Sequence, residues 1–189
     1  MRDTKSRIIE ASRDLFLEKG LKKLTMRAVA RSVGISPTAI YRHFRNKEEL
    51  IRSVMEEGFR IFGSYLFRAL EEEGGMERLC RTGLEYIRFG MENPAYYRLI
   101  HMSPERLSHG VCCQPDSTFK FLLDRITQCQ REGSIDEGID VTEAGIYLWS
   151  QVHGIATFVV TGGIPGMEGR DDLLKMAESM ILRSVKGLA

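Results

Sequence analysis

Apolar residues recur along most of the chain at intervals of three and four positions, which is the period of an amphipathic helix. In the first such segment Ile8, Leu15 and Phe16 share one face, and Gly20 provides the stop. No convincing alternation of apolar and polar residues, as in a half-buried strand, interrupts this pattern. The sequence therefore predicts an all-α protein. The predicted helices cover about residues 4–19, 26–33, 37–44, 47–72, 76–92, 94–102, 116–131, 141–161 and 171–185.

Two of the predicted helices are short and are separated only by helix-breaking residues. Thr25 can cap the helix that begins at Met26, and Gly34 can adopt the left-handed conformation that ends it. Ser36 can cap the next helix, in which Pro37 takes the first position, where a missing N–H costs nothing. Two short helices joined by such a tight turn indicate a helix-turn-helix motif.

The second short helix has one side that the core does not need. Ile40 and Phe44 anchor the helix, while its other side carries hydroxyl, guanidinium and imidazole groups that suit base edges and phosphates. The alternative is that Tyr41 and His43 are only half-buried packing residues. The set as a whole predicts a DNA-contacting surface. The candidate residues are Thr25, Arg27, Ser36, Pro37, Thr38, Ala39, Tyr41, Arg42, His43 and Lys47.

The charge distribution agrees with a DNA-binding N-terminal part, residues 1–53, which we call the head. The net charge of the chain is only +1, but residues 1–53 carry +7 and the remaining 136 residues carry −6. Such an asymmetry favours a basic head bound to a polyanion and a body with another task. Chance clustering of charges on solvated helix faces is the alternative that charge alone leaves open.

The segment from about Thr4 to Val54, above all LTMRAVARSVGISPTAIYRHFRNKEELI, resembles the DNA-binding domain of the tetracycline-repressor (TetR) family. The matching elements include the threonine that opens the second helix, the Gly-Ile-Ser turn and the Lys-Glu-Glu-Leu start of the fourth helix. The resemblance implies a three-helix helix-turn-helix DNA-binding domain at 1–53 and a larger helical effector-binding and dimerisation domain at 54–189. It also implies DNA contacts at Thr25, Thr38, Tyr41, His43 and Lys47, to which chemistry adds Arg27 and Arg42.

The C-terminal part extends this resemblance. LWSQVHG, from Leu148 to Gly154, resembles the Trp and His-Gly signature of one class of TetR C-terminal domain, and ENPAYYRLIHM at 92–102 resembles the helix pair upstream of it. The helix at 141–161 is apolar on more faces than one core contact needs, and the last helix has a broad apolar stripe. The resemblance implies that the last two helices pair with those of a second copy in a homodimer. Filling the core of one monomer is the alternative.

The resemblance further implies a small-molecule effector pocket among the fourth to eighth helices, where binding moves the fourth helix and separates the two DNA-binding heads. Flexible and aromatic apolar side chains in this part of the chain can line such a pocket, although the same side chains more often form plain core. The candidate lining residues are Phe62, Tyr65, Ile87, Met91, Tyr97, Met102, Phe119, Leu123, Trp149 and His153.

Other classes of protein find little support. The glycine-rich TGGIPGMEG, at 161–169, follows a helix and lacks the Lys-Ser/Thr pair of a phosphate loop, and no catalytic triad, carboxylate pair or HExxH helix stands out. Four cysteines without CxxC spacing predict free thiols in a reducing compartment, with a redox or metal role for Cys112 and Cys113 left open. We therefore predict no enzyme, no cofactor and no metal.

The chain has no apolar run of about 18 residues and no signal-peptide segment at its N-terminus, which predicts a cytoplasmic protein without a membrane partner. The predicted function is a ligand-responsive transcriptional regulator, usually a repressor, that binds a near-palindromic operator as a homodimer. The alternative is a helical architectural or adaptor DNA binder without an effector, which would have a fully packed C-terminal body.

Overall fold

A computed structural model of the chain describes residues 3–103, 115–162 and 169–189. Every regular element in these ranges is helical, as the hydrophobic pattern predicted. A 3₁₀ turn, Arg68–Glu71, follows the fourth helix, and a π-helical turn, Arg98–Met102, follows the sixth. The helices are α1 Thr4–Lys19, α2 Met26–Val33, α3 Pro37–Ile40, α4 Lys47–Phe67, α5 Gly75–Glu92, α6 Pro94–Tyr97, α7 Pro115–Arg131, α8 Val141–Thr161 and α9 Arg170–Lys186.

The prediction was wrong about the length of the third helix. It was expected to run from Pro37 to Phe44, but the α-helix ends at Ile40. The next amides mostly bond three residues back instead of four: the Arg42 N–H donates to Ala39 O at 3.2 Å and the His43 N–H to Ile40 O at 3.0 Å. Such i→i+3 bonds tighten the last turn of a helix. The predicted fourth helix, 47–72, likewise finishes as the 3₁₀ turn.

The chain divides into two compact units. Among the described residues, the N-terminal unit comprises 3–59 and 99–103, and the C-terminal unit comprises 60–98, 115–162 and 169–189. Helix α4 contributes residues to both units. The functional boundary between residues 53 and 54 stays a prediction.

The N-terminal unit is built on the apolar faces of α1, α2, α3 and the start of α4. Ile8, Val29, Ile40 and Leu50 have no solvent-exposed surface. The guanidinium of Arg7 in α1 donates to the carbonyl of Val33 at 2.8 Å, so it satisfies one of the unpaired carbonyls at the end of α2.

Helix α5 lies at the centre of the C-terminal unit and packs against α7, α8 and α9. Close approach depends on its glycines. A Cβ at Gly83 would lie 3.1 Å from a methyl of Val152 and 3.2 Å from one of Ile181, so a larger residue would push α8 and α9 away. None of the described helices is long and apolar enough to cross a membrane.

Candidate DNA interface and effector site

The turn between α2 and α3 has the geometry that its breakers predict. Gly34 has φ 76° and ψ 34°, the left-handed conformation, and the Ile35 N–H donates to Ala30 O at 3.0 Å. Thr25 accepts from the Ala28 N–H at 3.2 Å, and Ser36 accepts from the Ala39 N–H at 3.1 Å. The predicted caps of both short helices are therefore confirmed.

This turn separates a buried side from an exposed side. Ile40 is fully buried and Phe44 is 2% exposed, whereas Tyr41 is 55% exposed. The exposure of Tyr41 is not that of a packing residue. The ten predicted DNA contacts divide by exposure: Thr25, Arg27, Ser36, Pro37, Thr38, Tyr41 and Arg42 are exposed, and Ala39, His43 and Lys47 are half-buried.

The chain after this surface is fixed by a third helix cap, which the sequence analysis did not predict. The Glu49 N–H donates to Asn46 Oδ1 at 2.9 Å, and the Arg45 N–H donates to Glu49 Oε2 at 2.7 Å. These two bonds resemble a capping box at the start of α4, except that Glu49 accepts from Arg45, the residue before the capping Asn46, and the Asn-x-x-Glu spacing could have revealed them. Lys47, in the first turn of α4, is held beside the helix-turn-helix by this cap.

In the C-terminal unit, His153 on α8 is the centre of a polar and aromatic contact. Its Nδ1 lies 2.8 Å from Tyr86 Oη and 2.9 Å from Tyr97 Oη. The imidazole is stacked with Trp149, with centroids 4.9 Å apart, and with Tyr97 at 5.8 Å. We call Tyr86, Tyr97, Trp149 and His153 the aromatic–histidine cluster. It offers hydroxyl and imidazole groups between apolar rings, which suits the anchoring of a small molecule.

Burial raises the pKa of Tyr97, against the lowering effect of its hydrogen bonds with Thr157 and Tyr86. Its hydroxyl lies 3.2 Å from Thr157 Oγ1 and 3.3 Å from the carbonyl oxygen of His153. Neutral Tyr97 therefore holds α6 against α8 through the aromatic–histidine cluster.

A second polar group lies where α4, α5 and α9 meet. Tyr65 donates to Glu92 and accepts from Asn93 Nδ2 at 3.1 Å, and Glu92 also pairs with Arg170 at the start of α9. The hydrogen bond from Tyr65 and the charge of Arg170 lower the pKa of Glu92, while burial raises the pKa of Tyr65. Tyr65 is thus a structural partner of a carboxylate that is ionised at neutral pH.

The predicted lining residues do not all come together. Phe62, Tyr65, Ile87 and Tyr97 are buried in the C-terminal unit, and Trp149 and His153 are half-buried there. Met91 is half-buried in α5. Met102, by contrast, is 42% exposed and belongs to the N-terminal unit.

Phe119 and Leu123 lie at the contact between α7 and α8. A Cβ placed on Gly145 would approach a Leu123 methyl to 2.5 Å and the Phe119 ring to 3.3 Å, so both side chains pack directly on the α8 backbone.

Tyr86 and Phe89 belong to the aromatic side chains that can line a cavity, but the candidate lining residues did not include them, although they connect residues that were included. Phe62 contacts Tyr86 edge-on at 5.2 Å between ring centroids, and Phe89 at 4.9 Å. Phe89 in turn contacts Tyr65 at 5.7 Å. Tyr86 and Phe89 therefore join the α4 aromatics to His153. Their i, i+3 spacing on one face of α5 is the only sequence signal that could have selected them.

The cysteines that the structure describes are unreactive by environment. Burial is the main factor that raises the pKa of Cys129 to about 11 and that raises the pKa of the Cys80 thiol. Both therefore carry little thiolate at neutral pH. Cys112 and Cys113 lie outside the described residues, as does most of the glycine-rich segment 161–169. Within the described residues no group of three or more His, Cys, Asp or Glu could hold a metal ion.

An N-terminal helix-turn-helix with a polar exposed face, followed by a separate helical unit, defines a helix-turn-helix DNA-binding regulator. Two family descriptions match the chain: bacterial regulatory proteins of the tetR family at residues 8–54, and the tetracyclin repressor-like C-terminal domain at residues 79–183. The protein belongs to the TetR family of transcriptional regulators.

Individual relatives agree with this assignment. The chain is 40% identical over 169 residues to the HTH-type transcriptional regulator UidR of Escherichia coli, covering 80% of this chain and 79% of that protein. A TetR-family regulator from Rhodococcus sp. has a similar fold, with a TM-score of 0.74, 20% identity and coverage of 100% and 99% of the two chains. PfmR from Thermus thermophilus gives a TM-score of 0.66 at 24% identity, covering 97% and 99%. These relatives are regulators, and the chain is not an enzyme.

Proposed function

We propose that the protein is a ligand-responsive repressor, which binds a near-palindromic operator in the cytoplasm as a homodimer and leaves it when a small apolar effector binds. The observation that carries the DNA-binding part is the division of the α2–α3 region into a buried side and an exposed side. Thr38, Tyr41 and Arg42 reach the bases or nearby phosphates, while Thr25, Arg27 and Lys47 hold the flanking backbone. The less exposed Ala39 and His43 complete the surface with Ser36 and Pro37.

The outer face of α8 supports dimerisation. Tyr147, Gly154 and Phe158 lie on one stripe at i, i+7 and i+11, with Tyr147 43% and Phe158 60% exposed. A Cβ on Gly154 would meet no other atom within 4 Å in the described part of the chain. A mid-helix glycine costs about 1 kcal/mol relative to alanine. A second copy packed on this apolar stripe would explain the glycine, because a position without a side chain allows the partner's helix to approach closely. Leu182 on α9, which is 39% exposed, extends the surface.

The aromatic–histidine cluster supports the effector part. It joins α5, α6 and α8, and its ring contacts continue through Phe62 to α4, the helix that contributes residues to both compact units. An effector that binds there releases DNA only if it prefers the DNA-incompetent arrangement of the heads, because differential affinity alone shifts a population.

One observation favours the second candidate function, a DNA binder without an effector. Four of the predicted lining residues are almost fully buried against protein: Phe62 is 2% exposed, Tyr65 8%, and Ile87 and Tyr97 0%. A body packed in this way would bind DNA with an affinity that does not depend on small molecules.

The first experiment is selection of bound duplexes from a randomised library, followed by sequencing, with purified protein and no added ligand. A two-fold symmetric enriched site is the result we expect, and it supplies the operator for an effector screen. If no site is enriched and mass spectrometry of the denatured protein finds no co-purified ligand, the DNA-binding proposal is wrong.

Operator binding is expected to weaken steeply with salt. Arg27, Arg42 and Lys47 supply about three cations per head, so a dimer that neutralises about six phosphates gives a log–log slope of about −5. Arg42→Gln should make the slope about 2 less steep because two contacts are lost, whereas Arg131→Gln in the C-terminal unit should not change it. Fluorescence anisotropy over a series of salt concentrations measures both, and a flat profile contradicts the proposal.

A further inference from the structure

A buried carboxylate on α5 is surrounded by three arginines. Glu85 has no exposed side-chain surface. Arg68 Nη1 lies 3.2 Å from its Oε2, while Arg81 Nη2 lies 3.0 Å and Arg88 Nε 3.6 Å from its Oε1. We call Arg68, Arg81 and Arg88 the arginine triad. It lies in the C-terminal unit, on residues that neither the DNA-contacting surface nor the aromatic–histidine cluster uses.

The arginine triad carries more positive charge than its carboxylate neutralises. Among the described residues, Glu85 is the only carboxylate within ion-pair distance of the triad. Within ion-pair distance, three guanidinium groups around one carboxylate leave a surplus of about two charges, part of which Glu92 offsets at Arg68, and like charges held this close repel one another. A second anion in this position would relieve that repulsion.

The arginine triad is also accessible and prearranged. The Arg68 side chain is 44% exposed and those of Arg81 and Arg88 are 32% exposed, so all three are in contact with solvent. Arg68 is held over the Tyr65 ring at 4.1 Å. The buried Arg88 Nε faces Glu85 Oε1 at 3.6 Å, and neither of these atoms nor the buried Arg81 Nε has a hydrogen-bond partner in the described structure. Planar guanidinium groups fixed in this way suit the oxygens of a carboxylate or phosphate.

Exposed apolar surface begins at the residue next to the triad. Phe67, which precedes Arg68, is 60% exposed, and its ring contacts Phe121 of α7 edge-on at 5.6 Å. Arg125 lies over the Phe121 ring at 5.2 Å. Phe67 and Arg68 are consecutive, so their side chains leave the backbone in different directions, and a ligand that contacts both needs an apolar part several carbons long.

We propose that the arginine triad binds the carboxylate or phosphate group of a small organic anion whose apolar part lies on Phe67 and Phe121. This site goes beyond the proposed function, and it holds whether or not the aromatic–histidine cluster binds an effector.

Octanoate, acetate and 1-octanol are the probes, titrated into the full chain by isothermal calorimetry at constant ionic strength. Octanoate combines the charge with the apolar chain, acetate has only the charge, and 1-octanol has only the chain. Octanoate is expected to bind at least about tenfold more tightly than either of the others, since acetate lacks the methylenes whose burial is favourable and 1-octanol lacks the charge-assisted hydrogen bonds. Equal affinities for octanoate and acetate would overturn the apolar half of the site and with it the proposal.

Arginine variants then test whether octanoate binds at the arginine triad. Arg81→Gln and Arg88→Gln are each expected to weaken its binding about tenfold, because one charge-assisted hydrogen bond is lost. Arg131→Gln, which removes an exposed arginine at the end of α7, is the matched control and should bind as the wild type does.

Glu85→Gln distinguishes a binding site from a structural ion cluster. The substitution keeps the shape of the side chain and raises the surplus charge of the triad, so octanoate should bind about fivefold more tightly. A purely structural cluster would be destabilised with no gain in affinity. If Glu85→Gln does not fold, the comparison of Arg81→Gln with Arg131→Gln still decides.

Three further results would overturn the proposal. One is the absence of octanoate binding at millimolar concentration, and another is equal binding by wild type, Arg81→Gln and Arg88→Gln. If such arginine-independent binding is lost in Trp149→Ala, the acid occupies the aromatic–histidine cluster, which supports the proposed function instead. The third such result is weaker operator binding by the arginine variants in the absence of octanoate, which would show that the triad contacts DNA. Conversely, arginine-dependent octanoate binding without any enriched operator would support the triad and contradict the proposed function.

Discussion

Tyr41→Ala is expected to weaken binding of the selected operator about thirtyfold while leaving the fold intact. Tyr41 is 55% exposed beside the buried Ile40 and Phe44, so its removal leaves the core of the N-terminal unit untouched. A hydrogen bond to DNA is worth about 1 kcal/mol net. Because a two-fold dimer loses the contact in both heads, the total loss is about 2 kcal/mol, which corresponds to roughly thirtyfold. Fluorescence anisotropy with the selected duplex measures the affinity.

Two further variants make this result specific. Tyr41→Phe keeps the ring and removes only the hydroxyl, so the difference between it and the alanine variant separates apolar contact from hydrogen bonding. Leu17→Ala changes another large exposed apolar residue of the same unit, 48% exposed on α1, and should bind as the wild type does. Unchanged affinity in Tyr41→Ala, with a normal circular-dichroism spectrum, would remove Tyr41 from the DNA-contacting surface.

The parts of this surface that were predictable depend on local chemistry. Thr25 and Ser36 cap their helices through bonds to amides three residues on, and Gly34 has the conformation that ends α2. Each of these features is encoded within four residues, so the sequence contains it fully. The early end of α3 is different. We attribute the tightening of the chain after Ile40 to the packing of Phe44, which is 2% exposed, and that packing is a tertiary property.

The C-terminal unit likewise combines features that the local sequence encodes with features that depend on tertiary packing. The spacing of Arg81 and Arg88 around Glu85, at i−4 and i+3, was readable as a pattern of helix surface pairs. Nothing local indicates that Glu85 is fully buried or that Arg68 joins it from another element. In the same way, the contact of Tyr86 with His153 requires the docking of α5 on α8, which periodicity does not define.

Phe158→Glu is expected to convert the proposed homodimer into a monomer at micromolar concentration. Phe158 is 60% exposed in a single copy, on the apolar stripe with Tyr147 and Gly154, so each chain should still fold. In a two-fold interface the substitution acts twice. Losing the burial of two phenylalanines costs about 4 kcal/mol, and two unpaired carboxylates add to this, so the dimer dissociation constant should rise at least about 1,000-fold.

Sedimentation velocity measures the mass, and operator binding should fall with it, because a monomer contacts only one half-site. Leu17→Glu introduces the same charge at an exposed apolar residue of α1 and should remain dimeric. Phe158→Ala removes the ring without adding charge, so its effect should lie between those of the wild type and the glutamate variant. A dimeric Phe158→Glu would show that the chains do not pair through the stripe, and the open space around Gly154 would then need another explanation.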